Sequence, residues 1–182
     1  MATATITSDQ DAIVAEIFIA APPARVFEAI TDPKQRAQWW GIGDSPSLPP
    51  KVVPFRVTEA KSDLRVGGKW SNDGIRGGVP FRLEGEYLEI DPPRLLVLTR
   101  VADFVGDFET IVRWELEPRE VHGLYTHGAH KMGTGTLLRV RHSGFGGHSE
   151  QMKSHYDGWC VSLGWLRDFI EHDVTVDRRQ GM

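Results

Sequence analysis

Hydrophobic positions near the carboxyl end recur at spacings of four, three, four, three and four: Met152, Tyr156, Trp159, Leu163, Leu166 and Ile170. At 3.6 residues per turn this spacing lays one continuous stripe along an α-helix. It predicts a helix over Ser149 to Val174, about seven turns long. Upstream the period changes to two. Phe81, Leu83 and Tyr87 alternate with Arg82, Glu84 and Glu86, and Thr110, Val112, Trp114 and Leu116 with Ile111, Arg113, Glu115 and Glu117. Such alternation marks strands with one face inward. Further strands are predicted over Ile13–Ala20, Phe55–Ala60, Leu64–Ser71, Leu95–Val101 and Thr136–His142. The glycine pair Gly67-Gly68 inside one of them marks a bulge, a sharp bend or a close backbone approach.

Two short helices are predicted after the first strand. Pro23 suits a first helical position, where a missing N–H leaves nothing unpaired, and Val26, Phe27 and Ile30 form the inward face. Asp32 caps a second helix that starts at Pro33 and ends at Trp39-Trp40-Gly41. Gly41 to Pro54, with four prolines and two glycines, reads as a loop near a cavity mouth. Asp91-Pro92-Pro93-Arg94 is a turn, and Gly144, Gly146 and Gly147 release the chain into the long helix. Consecutive strands joined by short turns imply an antiparallel meander with helices on one face. The fold class is therefore α+β, a curved antiparallel sheet of about six or seven strands around one long C-terminal helix. Residues 12–175 form the single domain, 1–11 a disordered lead-in and 176–182 a polar tail.

Composition narrows the function classes. The chain has 182 residues, enough for one domain, with 40% hydrophobic and 25% charged residues, as in ordinary globular proteins. Its net charge of −4 comes from interleaved signs with no basic stripe, which argues against a nucleic-acid partner. Apolar runs fall short of the roughly 20 residues a bilayer span needs, and the amino terminus lacks the pattern of a signal peptide, so no membrane is expected. The lone Cys160 allows no internal disulfide and fits a reducing cytoplasm, the expected location.

Ala21-Pro-Pro-Ala-Arg-Val-Phe-Glu-Ala-Ile-Thr-Asp-Pro33 followed by Trp39-Trp40-Gly41, then Arg65-Val-Gly-Gly-Lys-Trp70, Gly85-Glu-Tyr-Leu-Glu-Ile-Asp-Pro-Pro-Arg94 with Thr99, His142-Ser-Gly-Phe145 and Gly158-Trp159 occur in one order along the chain. In that order they resemble the activator of heat-shock-protein-90 ATPase homologue group of the START-like (SRPBCC, birch-pollen-allergen-like) superfamily, over about Ile13 to Glu171. The resemblance implies a helix-grip fold with a cavity between helix and sheet. It does not choose among lipid carriers, cyclases, oxygenase domains and co-chaperone domains, because fold alone does not set function. The co-chaperone that names the group carries a separate domain before this fold. Here about a dozen residues precede the first strand, so a chaperone partner is not the leading expectation.

Strand alternation turns Val112, Trp114 and Leu116 inward beside Leu138, Val140 and His142, facing Met152, Tyr156, Trp159 and Leu163 of the helix. A lining of this kind, apolar with a few polar tips, suits a small hydrophobic molecule, or else simply fills the core. Trp39, Trp40, Trp70 and Tyr87 are further candidates; Trp39 and Trp40 either flank the entrance or divide between anchoring the short helix and facing water. The candidate ligand-binding set is thus Trp39, Trp70, Tyr87, Val112, Trp114, Leu138, Met152, Tyr156, Trp159 and Leu163. His142, His155 and Tyr156 are weak catalytic candidates for cyclase, dehydratase or hydrolase chemistry, provided they converge on one cavity within proton-transfer reach. His122, His127 and His130 share a loop but lack the four-ligand spacing of a structural zinc site, so no metal is expected. No cofactor motif is present. Cys160 reads as a small buried hydrophobe. Gly158 and Gly164 suggest close packing, a bend or a tolerated weakness in the helix. A homodimer is compatible with the chain, though no heptad specifies one.

The expected function is a cofactor-free binder of a small hydrophobic or aromatic molecule. The alternatives are an enzyme using cavity His and Tyr residues and an interaction module for a chaperone or regulator.

Overall fold

The computed structural model describes residues 1–42, 53–104, 106–126 and 129–181, with side chains described except at 106–107, 121–126, 129–132 and 180–181. Among the described residues nine strands form one antiparallel sheet: β1 (Thr3–Ile6), β2 (Ala12–Ile19), β3 (Gly41–Ile42), β4 (Phe55–Ser62), β5 (Lys69–Arg76), β6 (Val79–Asp91), β7 (Leu95–Ala102), β8 (Gly106–Thr126) and β9 (Ala129–Ser143). Their spatial order is β1-β2-β9-β8-β7-β6-β5-β4-β3, so the last strand closes back beside β2. Helices α1 (Pro23–Thr31) and α2 (Pro33–Trp39) follow β2, and α3 (Ser149–His172) closes the chain as the long helix of a helix-grip fold.

The strand count exceeds the expected six or seven for local reasons. Thr3–Ile6, in the stretch expected to be a disordered lead-in, pairs with β2 in the register Thr3↔Glu16 to Ile6↔Ile13. The two-residue β3 is too short to leave a periodic signature. Gly67-Gly68 lies in the turn before β5 rather than inside a strand. Gly67 has φ +78°, and a Cβ on Gly68 would fall 2.0 Å from the carbonyl oxygen of Asp63, an approach only glycine permits. The strand therefore begins at Lys69 and runs past the expected end at Ser71 through Asn72-Asp73-Gly74, because β4 and β6 pair with it on both sides. β8 and β9 likewise run past the expected ends at Glu117 and Thr136, Pro118 being accommodated opposite Thr136. The side chains of His122, His127 and His130 lie outside the described residues, as does most of the Gly41 to Pro54 loop.

The short helices form as their caps dictate. Pro23 opens α1, and the Asp32 carboxylate accepts the N–H of Lys34 at 2.8 Å to cap α2. The carboxyl end also folds back: the Val176 N–H donates to the Gln38 carbonyl at 2.8 Å, and Val176 and Arg179 are buried where a polar tail was expected.

Core and helix meet on one face of the sheet. Val112, Trp114, Leu116, Leu138 and Val140 are buried on that face, and Met152, Trp159, Leu163, Leu166 and Phe169 are buried on α3. Tyr156 and Ile170, both on the expected stripe, are only half-buried; the sheet contacts of α3 are chiefly with β1 and β2. Gly158 and Gly164 both face open space, which removes close packing as their explanation.

Candidate functional site

Because α3 leans on β1 and β2, a cleft of about 440 Å³ opens between its other flank and the β3–β7 side of the sheet. From α3 come His155, Gly158, Trp159, Val161 and Trp165; from the opposite wall come Trp40, Ile42, Phe55, Phe104, Arg76 and Arg100. That volume lies within the roughly 300–1,000 Å³ typical of small-molecule sites. The far wall is a continuous train of aromatic rings. Trp39 stacks on Trp40 with centroids 5.7 Å apart, Trp40 meets Phe55 at 6.5 Å, Phe55 stacks on Phe81 at 4.7 Å, and Phe81 meets Phe104 edge-on at 5.7 Å. Offset and edge contacts of this kind are the favoured arrangements of aromatic pairs.

Beneath the cleft lies a second, smaller void of about 30 Å³, bounded by Arg36, Trp39, Trp40, Trp70, Leu98, Arg100, Val112, Trp114 and Trp159. Trp40, Arg100 and Trp159 border both spaces and stand between them. Trp70 reaches this position because Gly85 has no Cβ: one placed there would fall 2.8 Å from the indole Nε1, which donates to the Thr99 carbonyl at 3.1 Å.

A directed chain of hydrogen bonds runs behind Trp159. Its indole N–H donates to Nδ1 of His142 at 3.1 Å, and an indole can only donate, so Nδ1 carries no proton. Nε2 then bears the proton and donates to the Thr110 hydroxyl at 2.8 Å, which donates to the Arg100 carbonyl at 2.9 Å. His142 is fully buried with both nitrogens engaged. Burial first, and then the positive charge of Arg100, hold its pKa well below the ordinary value of 6.5.

His155 differs. Its Nδ1 donates to the Gln151 carbonyl at 2.7 Å, which leaves the Nε2 lone pair uncommitted. Its ring lies edge-on to His142 at 4.9 Å, and burial followed by Arg100 lowers its pKa to about 4.

Both imidazoles are therefore less basic folded than unfolded, which sets a pH dependence. Above pH 6.5 both states are neutral and no stability is at stake. As pH falls below 6.5 the unfolded chain takes up protons that the native state refuses, so stability declines by up to about 1.4 kcal/mol per pH unit for each imidazole. The share of His155 is exhausted near its folded pKa of about 4. Urea midpoints between pH 6.5 and 5, above most carboxylate titrations, should fall steadily, and His155→Gln should flatten the slope by one proton. An unchanged slope in that variant would place His155 in water.

A further depression of about 440 Å³ on the outer face, lined by Glu89, Asp91, Arg94, Arg113, Glu115 and Arg139 among others, is a surface of satisfied charges. Arg113 pairs with Glu89 and Glu115, and Arg139 with Glu16. Among the described residues no three His, Cys, Asp or Glu side chains gather as a metal site requires. None of the described helices is long and apolar enough to cross a membrane.

The sequence of residues 20–171 matches the model of the family described as Activator of Hsp90 ATPase homolog 1-like protein. The chain belongs to this family. The fold agrees with solved structures: protein CV1439 of Chromobacterium violaceum is 25% identical with a TM-score of 0.63, covering 88% of this chain and 97% of that one. A protein from Rhodobacter sphaeroides is 19% identical with a TM-score of 0.65, covering 93% and 98%. CalU16 of Micromonospora echinospora is 21% identical with a TM-score of 0.55, covering 100% and 92%. No curated protein matches in sequence.

Within this Hsp90-activator-homologue domain the expected site residues divide into three groups. Trp159 lines both the cleft and the inner void, whereas Trp39, Trp70, Val112 and Trp114 line the void alone. Trp39 is the anchor of its pair, donating to the Ala29 carbonyl at 2.8 Å, and Trp40 is the one that faces the cleft. Leu138, Met152 and Leu163 fill the core beneath the β1–β2 half of α3 and border neither space. Tyr87 is also core, its hydroxyl bonded to Ser62 at 2.7 Å and receiving Arg36 at 3.4 Å. The three catalytic candidates do not converge. The Tyr156 hydroxyl donates to the Ala4 carbonyl at 3.2 Å on the β1 side, His142 is engaged at both nitrogens, and His155 alone reaches the cleft.

Sequence reasoning left Trp40 open between the entrance and the surface and missed the Phe55–Phe104 wall, Trp165 and, above all, Arg100. The last left a signal. Leu96, Leu98, Arg100 and Ala102 share one face of β7, and the other three are buried apolar residues.

Proposed function

We propose that this protein binds a small aromatic or otherwise flat hydrophobic molecule in the cleft between α3 and the β3–β7 half of the sheet, without a cofactor. The observation that carries the reading is the aromatic wall: Trp40, Phe55, Phe104, Trp159 and Trp165 surround one space of about 440 Å³. The family's superfamily includes carriers of this kind, and the position of the cleft, on the flank that α3 leaves uncovered, gives a ligand access from solvent. Nucleic acid and membrane have no part in this reading, and the single Cys160 suits a reducing cytoplasm. Proton-transfer catalysis is the weaker reading, because His155 has a pKa of about 4 and makes a poor base at neutral pH.

Native mass spectrometry of freshly purified protein, paired with calorimetric titration of the neutral bicyclic 2-naphthamide, tests the reading. A retained small-molecule mass or a saturable heat supports it. A clean polypeptide mass together with no heat would sink it.

A further inference from the structure

Two guanidinium groups border the inner void, and no carboxylate among the described residues pairs with either. Arg36 is 4% exposed; it donates to the Lys61 carbonyl at 2.8 Å and to the Tyr87 hydroxyl at 3.4 Å, and its Nε is buried without a partner. Arg100 is half-buried. Among the described residues its side chain makes no hydrogen bond or ion pair at all, and its Nε too is buried and unpartnered. Burial pushes its pKa down to about 10, so it stays charged at neutral pH. Both imidazoles behind it feel that uncompensated charge. The acidic residue lining the cleft, Asp157, lies exposed on α3, and Arg76 at the mouth lies over the Phe104 ring at 5.1 Å.

A protein with net charge −4 thus gathers three arginines and one aspartate around this space. Holding the half-buried Arg100 beside apolar walls without a counter-ion has a desolvation cost, which an anion from outside the chain would offset. The size of the inner void narrows what that anion is. A void of about 30 Å³ holds about two waters. A planar carboxylate fits that space and matches the planar guanidinium fork, whereas a phosphate is bulkier.

Building on the binding reading above, we propose that the ligand is an aromatic carboxylate, its ring system against the Trp40–Phe55–Phe104 wall and its carboxylate on Arg100 at the entrance to the inner void. Arg36, across the void, adds a second positive charge behind the headgroup. Trp159 and Trp40 close over the ion pair and keep water from it, which strengthens the pairing.

Calorimetric titration of 2-naphthoate against its neutral isostere 2-naphthamide, on wild-type protein and on Arg100→Gln, tests this directly. Wild type should bind the carboxylate about 50-fold more tightly than the amide, the order expected for a buried charge pair. Arg100→Gln should lose that preference to within about threefold, and Arg100→Lys should restore part of it. Amide binding to wild type with no preference for the carboxylate would overturn this inference and leave the binding reading standing. Silence from both compounds would overturn the inference, and with no retained mass it would overturn the binding reading too. Unfolding of the ligand-free variant supplies a second readout. Arg100→Gln should be at least as stable as wild type, since it removes a half-buried charge with no partner in the chain; a clear loss of stability would make Arg100 a structural residue and overturn the assignment.

Discussion

Arg179→Ala is expected to lower the unfolding free energy by about 3 kcal/mol, a large effect for a residue three positions from the carboxyl end. The Arg179 guanidinium is buried and donates to four backbone carbonyls: Trp39 and Gly41 at 2.8 Å through one nitrogen, and Trp165 at 2.8 Å and Val174 at 3.1 Å through the other. It lies over the Trp165 ring at 5.4 Å. One side chain therefore ties together the end of α2, the start of β3 and two points on and after α3. Hydrogen bonds from a charged donor contribute more than neutral ones, and truncation leaves four acceptors looking for water. Arg179→Lys should recover only part of the loss, because an ammonium presents its donors from a single point and cannot span four carbonyls. Urea denaturation of the three proteins measures both effects. A cost below about 1 kcal/mol for the alanine variant would mean that the chain end is held by Val176 and its backbone bond to Gln38 instead. The variant should also loosen the cleft, since Trp40 and Trp165 follow directly on the segments that Arg179 clamps.

Trp159→Ala is expected to cost about 4 kcal/mol, in the range for truncating a buried aromatic. The indole is 7% exposed, meets Trp114 edge-on at 5.2 Å and separates the cleft from the inner void. Its removal merges the two spaces and strips His142 of its donor. Trp159→Phe separates these contributions. The phenyl ring keeps most of the packing but has no N–H, so Nδ1 of the fully buried His142 loses its partner, at about 1–2 kcal/mol. Equilibrium unfolding at pH 7.5, where both histidines are neutral, compares the two variants free of titration. Equal costs for alanine and phenylalanine would place the whole effect in the hydrogen bond; no cost for phenylalanine would show that the Trp159–His142–Thr110 chain carries none of the stability.

The parts of the molecule legible in the chain are those set by neighbours within a few residues. The Pro23 and Pro33 helix starts and the Asp32 cap depend on contacts inside one turn. The inward set Thr110, Val112, Trp114 and Leu116 follows from the pleat, which turns every second side chain the same way. The extension of β5 past the expected end at Ser71 through Asn72-Asp73-Gly74 was not legible because pairing with both β4 and β6 imposes the extended form. The pattern at Phe169 and Ile170 failed for a related reason. Which flank of α3 is covered depends on the tilt of the helix over β1 and β2, and a stripe of 3.6 period is too broad to encode a tilt.

The candidate site shows the same division more sharply. Trp159 and His155 could be placed on one face of a helix, and Arg100 stands at an apolar position of β7. Yet Leu138, Leu163 and Met152 obey the same inward pattern as Trp159 and end in solid core. Periodicity decides which way a side chain points, because it follows from the local geometry of one element. It carries no information on how far apart two facing elements stand. That distance follows from the packing of α3 on β1 and β2 and from the Arg179 clamp on the ends of α2 and α3, contacts between residues far apart along the chain. It is there that filled core and open cleft part company.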